Sequence, residues 1–312
     1  DIICIIGPLY VPASASRLLP RDGALAVSPC RLACLHMAIS LKRGPRVMGK
    51  DADAARAAAR CVVQVHERLA EHLRPGLTLA EIDRFVATTL AELRCKSCFL
   101  GYRAGGLPPF PSHACLSVND CVVHGTAGSL DRPLVEGDLL KIDIGVNHRG
   151  WIGDAAWSYS LGEPSEEIRR LMDAGKHGLA AGIRALHVGG TFMDWAEALQ
   201  QHVETDCGFH LVRNLGGHGH GRKLHTPPFV SNTPASSYAW PDGTREIEPG
   251  TLVALEPMVA IGTGQTRETP GGWPIYSADG SMTVHHEHDV LFTEDGPEVL
   301  TQALENLTDV IS

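Results

Sequence analysis

Four acidic residues of this chain stand inside or beside apolar segments that are typical of β-strands. Asp143 lies in KIDIG, Asp154 lies in WIGDAAW, Glu256 follows TLVAL, and Glu287 precedes HDVLF. Burying a carboxylate in apolar surroundings is costly unless the carboxylate is paired or binds a metal ion. The fold must therefore bring these acids to a shared polar site, or else leave them in turns and at strand edges that face water.

The first two acids fall on segments that the sequence pairs into a hairpin. The segment KIDI alternates between polar and apolar residues, which places Asp143 on the same face as Lys141. Residues 147–150 (NHRG) predict a turn, and residues 151–161 predict the returning strand. We therefore expect Asp143 and Asp154 to lie near one point in space.

A fifth candidate ligand is His218, in the glycine-rich segment GGHGHGR. Four carboxylates and one imidazole form a ligand set that suits hard or borderline divalent cations, and two ions that share carboxylates can bind and activate one water. The glycines also give a weak likeness to a phosphate-binding loop. That interpretation lacks an acidic residue about twenty positions further on, and a histidine interrupts the loop. The HExxH motif of helical single-zinc proteases is absent from the sequence.

A helix–turn–helix pattern occurs in the first half of the chain. Residues 51–73 have apolar residues at helical spacing, and the segment RPG follows them. Thr78 and Glu81 then form a capping-box pattern that predicts a second helix to about Leu93. Strands that carry Asp143 and Asp154 are expected after this helix pair.

The second half repeats the pattern. Residues 166–186 are predicted to be helical, and Thr191 with Asp194 predicts the cap of a helix to about Thr205. The motif L-x-x-G-x-T begins at both Leu73 and Leu186. Two related halves that meet at one site explain why acid-bearing strands follow each helix pair. A coincidental repeat is the alternative.

The order of these motifs resembles the methionine aminopeptidases, and type I most closely. The motifs are DxG followed by a GD hairpin, then GHGxGRxxHxxP, then EPM, and finally an EH near the end. The resemblance implies an α+β fold of the pita-bread (creatinase/aminopeptidase) type, in which two pseudo-symmetric halves pack helices on a curved antiparallel sheet. We expect a single catalytic domain over residues 41–305 and a C-terminal tail over 306–312.

The N-terminal segment differs from the rest of the chain. Residues 1–40 begin with Asp1, show no sustained helical or strand periodicity and lack the basic start of a signal peptide. Met37 begins MAISLK, which is similar to the start of many type I methionine aminopeptidases. We interpret residues 1–40 as an atypical extension that is disordered or non-native. A weakly ordered tail that contacts a partner is the alternative.

The resemblance implies a dinuclear metal site with two divalent ions per chain, which could be Co, Mn, Fe or Zn. Asp143 would bind the first metal, Asp154 and Glu287 would bridge both, and His218 and Glu256 would complete the second.

The same resemblance implies three catalytic residues. Glu256 would take and return the proton of the attacking water. His225, in GRKLH, would donate a hydrogen bond to the substrate carbonyl oxygen as the carbon becomes tetrahedral. His124, in VVHG, would contact the peptide near its new amino terminus. The histidines that flank Glu287 receive no role.

A pocket for a methionine side chain must be apolar and polarizable. The resemblance implies that it is lined by Tyr102, Phe110, Cys115, Leu224 and Trp273. This chain departs from the family at two places. The segment RAGGLPP (103–109) is longer than usual, and Leu224 stands where type I members commonly carry an aromatic residue. The shape of the pocket is therefore the part of the site that the resemblance constrains least.

The composition limits the classes of partner that this protein can have. The net charge of −9 argues against nucleic acid as a specific partner, and no apolar run approaches the ~20 residues that span a bilayer. Nine cysteines without a framework predict reduced thiols and a cytoplasmic location. The lone CxxC at Cys95 and Cys98 is interpreted as incidental rather than as a zinc site. The expected partners are nascent polypeptide N-termini, with a transient ribosome contact through the basic stretch at 42–46, and the expected state is a monomer.

Three alternative groups of proteins share this fold. Aminopeptidase P and prolidase cleave beside proline, but normally carry a long amino-terminal domain, whereas only about 50 residues precede the first predicted helix. Type II methionine aminopeptidases carry a large insertion for which residues 218–256 leave no room. A non-catalytic pita-bread binding module would discard metal ligands, and this chain retains all five. We therefore expect removal of the initiator methionine before a small second residue.

Overall fold

Both predicted helix pairs are present in the computed structural model, which describes residues 44–104, 106–235 and 239–312. The first pair is α1 (Lys50–His72) and α2 (Leu79–Glu92), and the second is α3 (Glu166–Ala185) and α4 (Phe192–Gln200). The chain continues beyond α4 as a π-helix over Gln201–Asp206. The extension predicted at 1–40 lies outside the described residues, as do Lys42 and Arg43 of the basic stretch.

Capping boxes determine where the second helix of each pair begins. Glu81 N donates a hydrogen bond to Thr78 Oγ1 at 3.3 Å, and Thr78 N donates to Glu81 Oε2 at 2.8 Å. At α4, Thr191 N donates to Asp194 Oδ2 at 2.9 Å. These bonds satisfy backbone N–H groups that the helix itself leaves without partners. The repeated sequence motif therefore corresponds to the same local structure in both halves.

The described strands form four sheets. The first contains β1 (Lys96–Ser97), β2 (Cys115–Val118), β4 (Leu139–His148), β5 (Trp151–Leu161) and β16 (Val310–Ile311), and the second contains β7 (Gly216–Gly219), β8 (Thr226–Ser231), β9 (Leu252–Leu255), β14 (His288–Thr293) and β15 (Gly296–Val299). Two three-stranded sheets contain β6 (His210–Leu211), β10 (Met258–Ala260) and β13 (Thr283–His285), and β3 (Cys121–Val123), β11 (Thr266–Glu268) and β12 (Ile275–Ser277). Short 3₁₀ helices span Pro241–Thr244 and Gln302–Asn306. The predicted α+β composition is thus present.

A two-residue turn closes the predicted hairpin between β4 and β5. Arg149 (φ 54°) and Gly150 (φ 85°) both have left-handed backbone conformations, which a type I′ turn requires. His148 pairs directly with Trp151, so the strands run closer to the turn than the segment 147–150 suggested. The hairpin is therefore long and regular up to its tip.

Helix α1 packs directly on this hairpin. A Cβ atom added at Gly153 would lie 2.6 Å from the carbonyl oxygen of Ala58, so only glycine allows this approach. Further along α1, the buried His66 places Nε2 3.2 Å from the carbonyl oxygen of Ala155. The helix thus contacts β5 on both sides of Asp154 and fixes the backbone that carries this acid.

Two hydrophobic clusters support the two halves. One joins α1 and α2 to the β4–β5 hairpin and includes Leu69 and Trp157. The other joins α3 and α4 to β9 and β14 and includes Trp195 and Phe292. Burial of apolar area stabilises each helix pair against its own strands by about 25 cal/mol per Å². Among the described residues, none of the helices has both the length and the apolar character that crossing a bilayer requires.

The C-terminal end differs from the tail predicted at 306–312. Val310 and Ile311 form β16, which pairs in parallel with Ser160 and Leu161 of β5. The side chain of Ile311 is buried in the first hydrophobic cluster. The packed structure therefore continues to residue 311, beyond the boundary predicted at 305. A two-residue strand is too short to show a periodic pattern in the sequence.

We predict that Gly153→Ala lowers the free energy of unfolding by about 1–3 kcal/mol, because the added methyl group overlaps the backbone of α1. Gly128→Ala is the matched control, since its Cβ would meet nothing closer than Thr126 Oγ1 at 4.0 Å. The control should change stability by less than about 0.5 kcal/mol. Urea unfolding followed by circular dichroism measures both, and equal effects would contradict the close packing at Gly153.

Candidate active site

Every residue that the sequence analysis assigned to the site lines one cleft. The cleft encloses about 450 Å³ of space, part of which is open to solvent. Its lining comprises Phe99, Tyr102, Phe110, Cys115, His124, Asp143, Asp154, His218, Leu224, His225, Glu256, Trp273 and Glu287. Among the described residues that line the cleft, Phe99 is the one that the sequence did not indicate. Charged and apolar groups from both halves of the chain thus face one space.

Asp154, His218 and Glu287 form the tightest group of candidate ligands in the cleft. One ligand atom from each lies within 4.8 Å of the other two, and all three residues are buried. His218 Nε2 lies 3.8 Å from Asp154 Oδ2 and 3.6 Å from Glu256 Oε1. Ligand bonds of about 2.0–2.2 Å place neighbouring ligand atoms roughly 3–4 Å apart. The spacing therefore suits a cation between these groups.

Strand pairing determines the relative position of Asp143 and Asp154. In the β4–β5 register, Asp143 is opposite Ala156 and Asp154 is opposite Gly145, so the two acids occupy adjacent strands. The N–H of Glu287 donates to the carbonyl oxygen of Ala156 at 2.9 Å, which attaches the start of β14 to β5. This backbone hydrogen bond joins the two halves directly beside their acids.

Close backbone packing explains the glycines around His218. A Cβ atom at Gly217 would lie 2.1 Å from the carbonyl oxygen of Ala254, and one at Gly219 would lie 2.2 Å from that of Pro227. The glycines therefore let β7 fit between β8 and β9, where His218 pairs with Ala254. Close packing therefore explains why this segment is rich in glycine, and a phosphate-binding loop is not needed to explain it.

Burial and mutual proximity disfavour ionisation of the four carboxylates. Burial raises the pKa of Asp143 to about 7. Burial, together with the charges of neighbouring carboxylates, raises the pKa of Asp154, Glu256 and Glu287 well above their usual values. Like charges that share a low-dielectric site oppose each other's ionisation, and a bound cation reverses this effect.

Two oxygens of this group lack the hydrogen bonds that buried polar atoms normally make. Asp143 Oδ1 and Asp154 Oδ1 are buried and accept no hydrogen bond from the part of the chain that the structure describes. Buried carboxylate oxygens without donors are costly in a folded protein. Their chemistry, and that of the surrounding ligand set, fits divalent cations.

Neutral histidines line the cleft beside the acids. Burial lowers the pKa of His124 to about 4 and that of His225 to about 3, so both imidazoles are neutral at pH 7. Tyr102 Oη lies 2.8 Å from His225 Nδ1, and a hydrogen bond donated by this hydroxyl leaves the ring proton on Nε2. His124 has a left-handed φ of 58°, a strained conformation that is frequent at functional sites.

The predicted pocket residues cluster with Phe99 at the apolar part of the cleft. The rings of Phe110 and Trp273 pack edge to face with centroids 5.1 Å apart. Trp273 Nε1 donates to the carbonyl oxygen of Pro108 at 3.0 Å, and Phe110 N donates to the carbonyl oxygen of Tyr102 at 2.8 Å. The unusual segment 103–109, of which residue 105 is not described, is therefore held at both ends against the pocket wall.

Three buried residues beside the ligands were missed. Asp289 Oδ2 accepts a hydrogen bond from the Asp154 N–H at 3.0 Å, and Asp289 Oδ1 lies 2.8 Å from His220 Nε2. His285 Nε2 lies 3.3 Å from Glu256 Oε2. Two of them carried a signal, because His220 follows His218 and Asp289 follows Glu287 by two residues, a spacing that places side chains on one side of an extended backbone.

Comparison with known families supports a peptidase. The model of metallopeptidase family M24 matches residues 47–294. Methionine aminopeptidase 1 of Bacillus subtilis is 32% identical over 247 residues, which cover 79% of this chain and 94% of that protein. Methionine aminopeptidase 1 of Mycobacterium tuberculosis is 34% identical over 268 residues, which cover 83% and 97%.

Solved structures of similar proteins have the same fold as this chain. The methionine aminopeptidase of Thermotoga maritima has a TM-score of 0.76 at 29% identity, covering 83% of this chain and 99% of that chain. The X-Pro aminopeptidase of the same organism has a TM-score of 0.64 at 18% identity, covering 85% and 63%, a likeness that concerns the fold alone. These neighbours have the pita-bread fold, so the predicted fold class is confirmed.

We predict that Asp154→Asn raises the melting temperature of the metal-free protein and lowers that of the metal-supplied protein. The substitution removes an acid whose ionisation the site opposes, which stabilises the metal-free fold, but it also removes a ligand. At a free Mn²⁺ concentration of about 100 times Kd, the wild-type chain should gain roughly 2.7 kcal/mol, and the variant should lose most of this gain. Thermal unfolding in chelator and in Mn²⁺ measures both effects.

The exposed Asp295 provides the control for that experiment. Asp295→Asn should behave as the wild-type chain in both conditions. A wild-type melting temperature that does not respond to Mn²⁺, Co²⁺, Fe²⁺ or Zn²⁺ would contradict the assignment of a metal site.

Proposed function

The chain belongs to metallopeptidase family M24, and on that premise we propose that it is a methionine aminopeptidase. It would remove the initiator methionine from nascent proteins and peptides with a small second residue. The observation that carries this proposal is the meeting of five ligand-type side chains with an apolar pocket in one cleft. The names of the relatives support methionine as the residue removed.

The acids and His218 would hold two divalent cations. In this assignment, Asp143 belongs to the first cation, Asp154 and Glu287 to both, and His218 and Glu256 to the second. When bound, two such cations supply a water of lowered pKa and polarise the scissile carbonyl group. The oxygen-rich set with one imidazole accepts Co, Mn, Fe or Zn, and cellular availability selects among them.

Glu256 would move the proton of the attacking water to the leaving amine. Glu256 is buried at the end of β9, and its Oε1 atom lies 3.6 Å from His218 Nε2. Its other oxygen lies 3.3 Å from His285 Nε2. These neighbours orient the carboxylate, so that it can accept the proton on the side of the substrate and return it after the bond breaks.

His225 and His124 would bind the peptide. With its ring proton on Nε2, His225 can donate a hydrogen bond to the carbonyl oxygen as negative charge develops there. The 2.8 Å contact between Tyr102 Oη and His225 Nδ1 would hold the ring in this tautomer. His124, held by its strained backbone beside Trp273 at a ring separation of 6.2 Å, would contact the peptide near its new amino terminus.

The apolar part of the cleft would accept the methionine side chain. Tyr102, Phe110, Cys115, Leu224 and Trp273 offer aromatic faces, one thiol and one aliphatic group, which suit a flexible thioether. Leu224 would leave more room than an aromatic residue, and the segment held by Trp273 at Pro108 would form part of the wall.

Nascent polypeptide N-termini would be the partners of this protein, with a transient ribosome contact, and it would act as a monomer in the cytoplasm.

We predict that chelated protein resupplied with Mn²⁺, Co²⁺, Fe²⁺ or Zn²⁺ releases free methionine from Met-Ala-Ser. Asp143→Ala should abolish release because a ligand is lost. His225→Ala should lower kcat by about 10²–10³ with a smaller change in KM, because the hydrogen bond acts mainly on the transition state. His187→Ala, at an exposed histidine, is the control.

An X-Pro peptide tests the competing specificity in the same assay. Ala-Pro-Ala should be a poor substrate if the pocket selects methionine. Cleavage of Ala-Pro-Ala as fast as Met-Ala-Ser, or no cleavage of either by folded, metal-loaded protein, would contradict the proposal.

A further inference from the structure

Two cysteines and a histidine meet at a place that the proposed reaction does not use. Cys61 lies in α1, Cys95 follows the end of α2, and His148 is the last residue of β4. One ligand atom from each lies within 4.8 Å of the other two. His148 Nδ1 is 3.4 Å from Cys95 Sγ and 3.6 Å from Cys61 Sγ.

These sulfur–nitrogen distances match those between the ligands of a tetrahedral zinc ion. Tetrahedral zinc has bonds of about 2.3 Å to sulfur and about 2.0–2.1 Å to nitrogen, which place sulfur and nitrogen ligands roughly 3.6 Å apart. Two sulfur atoms and one imidazole nitrogen are also a soft ligand set, unlike the oxygen-rich set of the cleft. We propose that Cys61, Cys95 and His148 bind one Zn²⁺ ion, with its fourth position open to water.

The proposed site is separate from the cleft. His148 and Asp143 lie five residues apart on β4, which corresponds to about 17 Å along a strand. None of the three residues is among those that line the cleft. A metal ion bound by them would therefore be independent of the cations proposed for catalysis.

The surrounding backbone already holds the three ligands in place. Cys95 N donates to the carbonyl oxygen of Leu90 at 2.8 Å. The next residue, Lys96, pairs with Asn147 of β4, beside His148. Helix α1 is held on the hairpin by the contact of Ala58 with Gly153, and Cys61 follows Ala58 by three residues, on the same helix face. Binding therefore requires no rearrangement of the fold.

The surroundings of the site favour the metal-binding forms of Cys61 and His148, but not that of Cys95. A hydrogen bond from Cys95 and the charges of Arg60 and Arg149 lower the pKa of Cys61 to about 7. Burial and the same two arginines lower the pKa of His148, so its ring is neutral at pH 7. The hydrogen bond with Cys61 and burial raise the pKa of Cys95, so this thiol would release its proton only when the ion binds. Two thiolates neutralise one Zn²⁺, so the occupied site would add no net charge beside the arginines.

The site also explains why the CxxC motif was not informative. Cys98 is outside the group and packs instead against the apolar pocket residues. The partner of Cys95 is Cys61, which is remote in sequence. The proposed ion would link α1, the end of α2 and the hairpin that carries both aspartates.

Cobalt titration of the full chain tests this proposal. The protein is reduced, treated with chelator and titrated with Co²⁺, which gives a near-ultraviolet charge-transfer band only when a thiolate binds it. The intensity of the band should correspond to one thiolate-bound Co²⁺ per chain, in addition to the cobalt that the cleft takes up, and the band should disappear when Zn²⁺ displaces the cobalt. Cys95→Ser should weaken Zn²⁺ binding by at least about 100-fold, since even loss of a residue that only orients a ligand costs 10–100-fold.

Matched variants separate this site from its competitors. Cys98→Ser tests the CxxC motif, Cys115→Ser tests a thiolate in the cleft, and both should keep the band. His148→Ala, at a half-buried position near a turn, should weaken binding without unfolding the chain, as circular dichroism will show. A wild-type chain without the band, or a band that Cys115→Ser removes and Cys95→Ser keeps, would overturn the proposal. Methionine release is measured separately, so failure of the proposed function would leave this result unaffected.

Discussion

Four carboxylates crowd one cleft and oppose one another's ionisation, and the rest of the structure must hold them together against that repulsion. Two cross-connections do so most directly. The N–H of Asp154 donates to Asp289 Oδ2 at 3.0 Å, and the N–H of Glu287 donates to the carbonyl oxygen of Ala156 at 2.9 Å. Each bond links β5 of the first half to the region of β14 in the second half. Folding therefore places the ligands before any cation binds, and a cation would relieve the strain.

Close packing of backbones gives this arrangement its rigidity. Gly153 allows α1 to rest on β5, and Gly217 allows β7 to rest on β9. The hydrophobic cluster of each half lies between its helices and its strands, so a shift of either helix pair would move the acids. The same rigidity holds the cysteine–histidine group at the tip of the hairpin, away from the cleft.

Local patterns in the sequence predicted much of this structure, but the contacts between segments remote in sequence were not predicted. The capping box at Thr78, the hairpin strands and the apolar strand before Glu256 depend on residues close in sequence, and all three are present. The contact of Asp154 with Asp289 joins remote segments and has no local signature. The sequence did not predict β16, because a strand of two residues is too short to show an alternating pattern. For the ligand roles, the sequence and its resemblance supplied hypotheses that the geometry of the cleft supports.

Anomalous X-ray scattering from crystals grown with Mn²⁺ tests the central claim most directly. Data collected on both sides of the manganese absorption edge would show only the bound metal. The account predicts two peaks about 3.5–4 Å apart, with Asp154 and Glu287 contacting both. A single peak held by other residues, or no peak between these acids in protein crystallised with Mn²⁺, would contradict it.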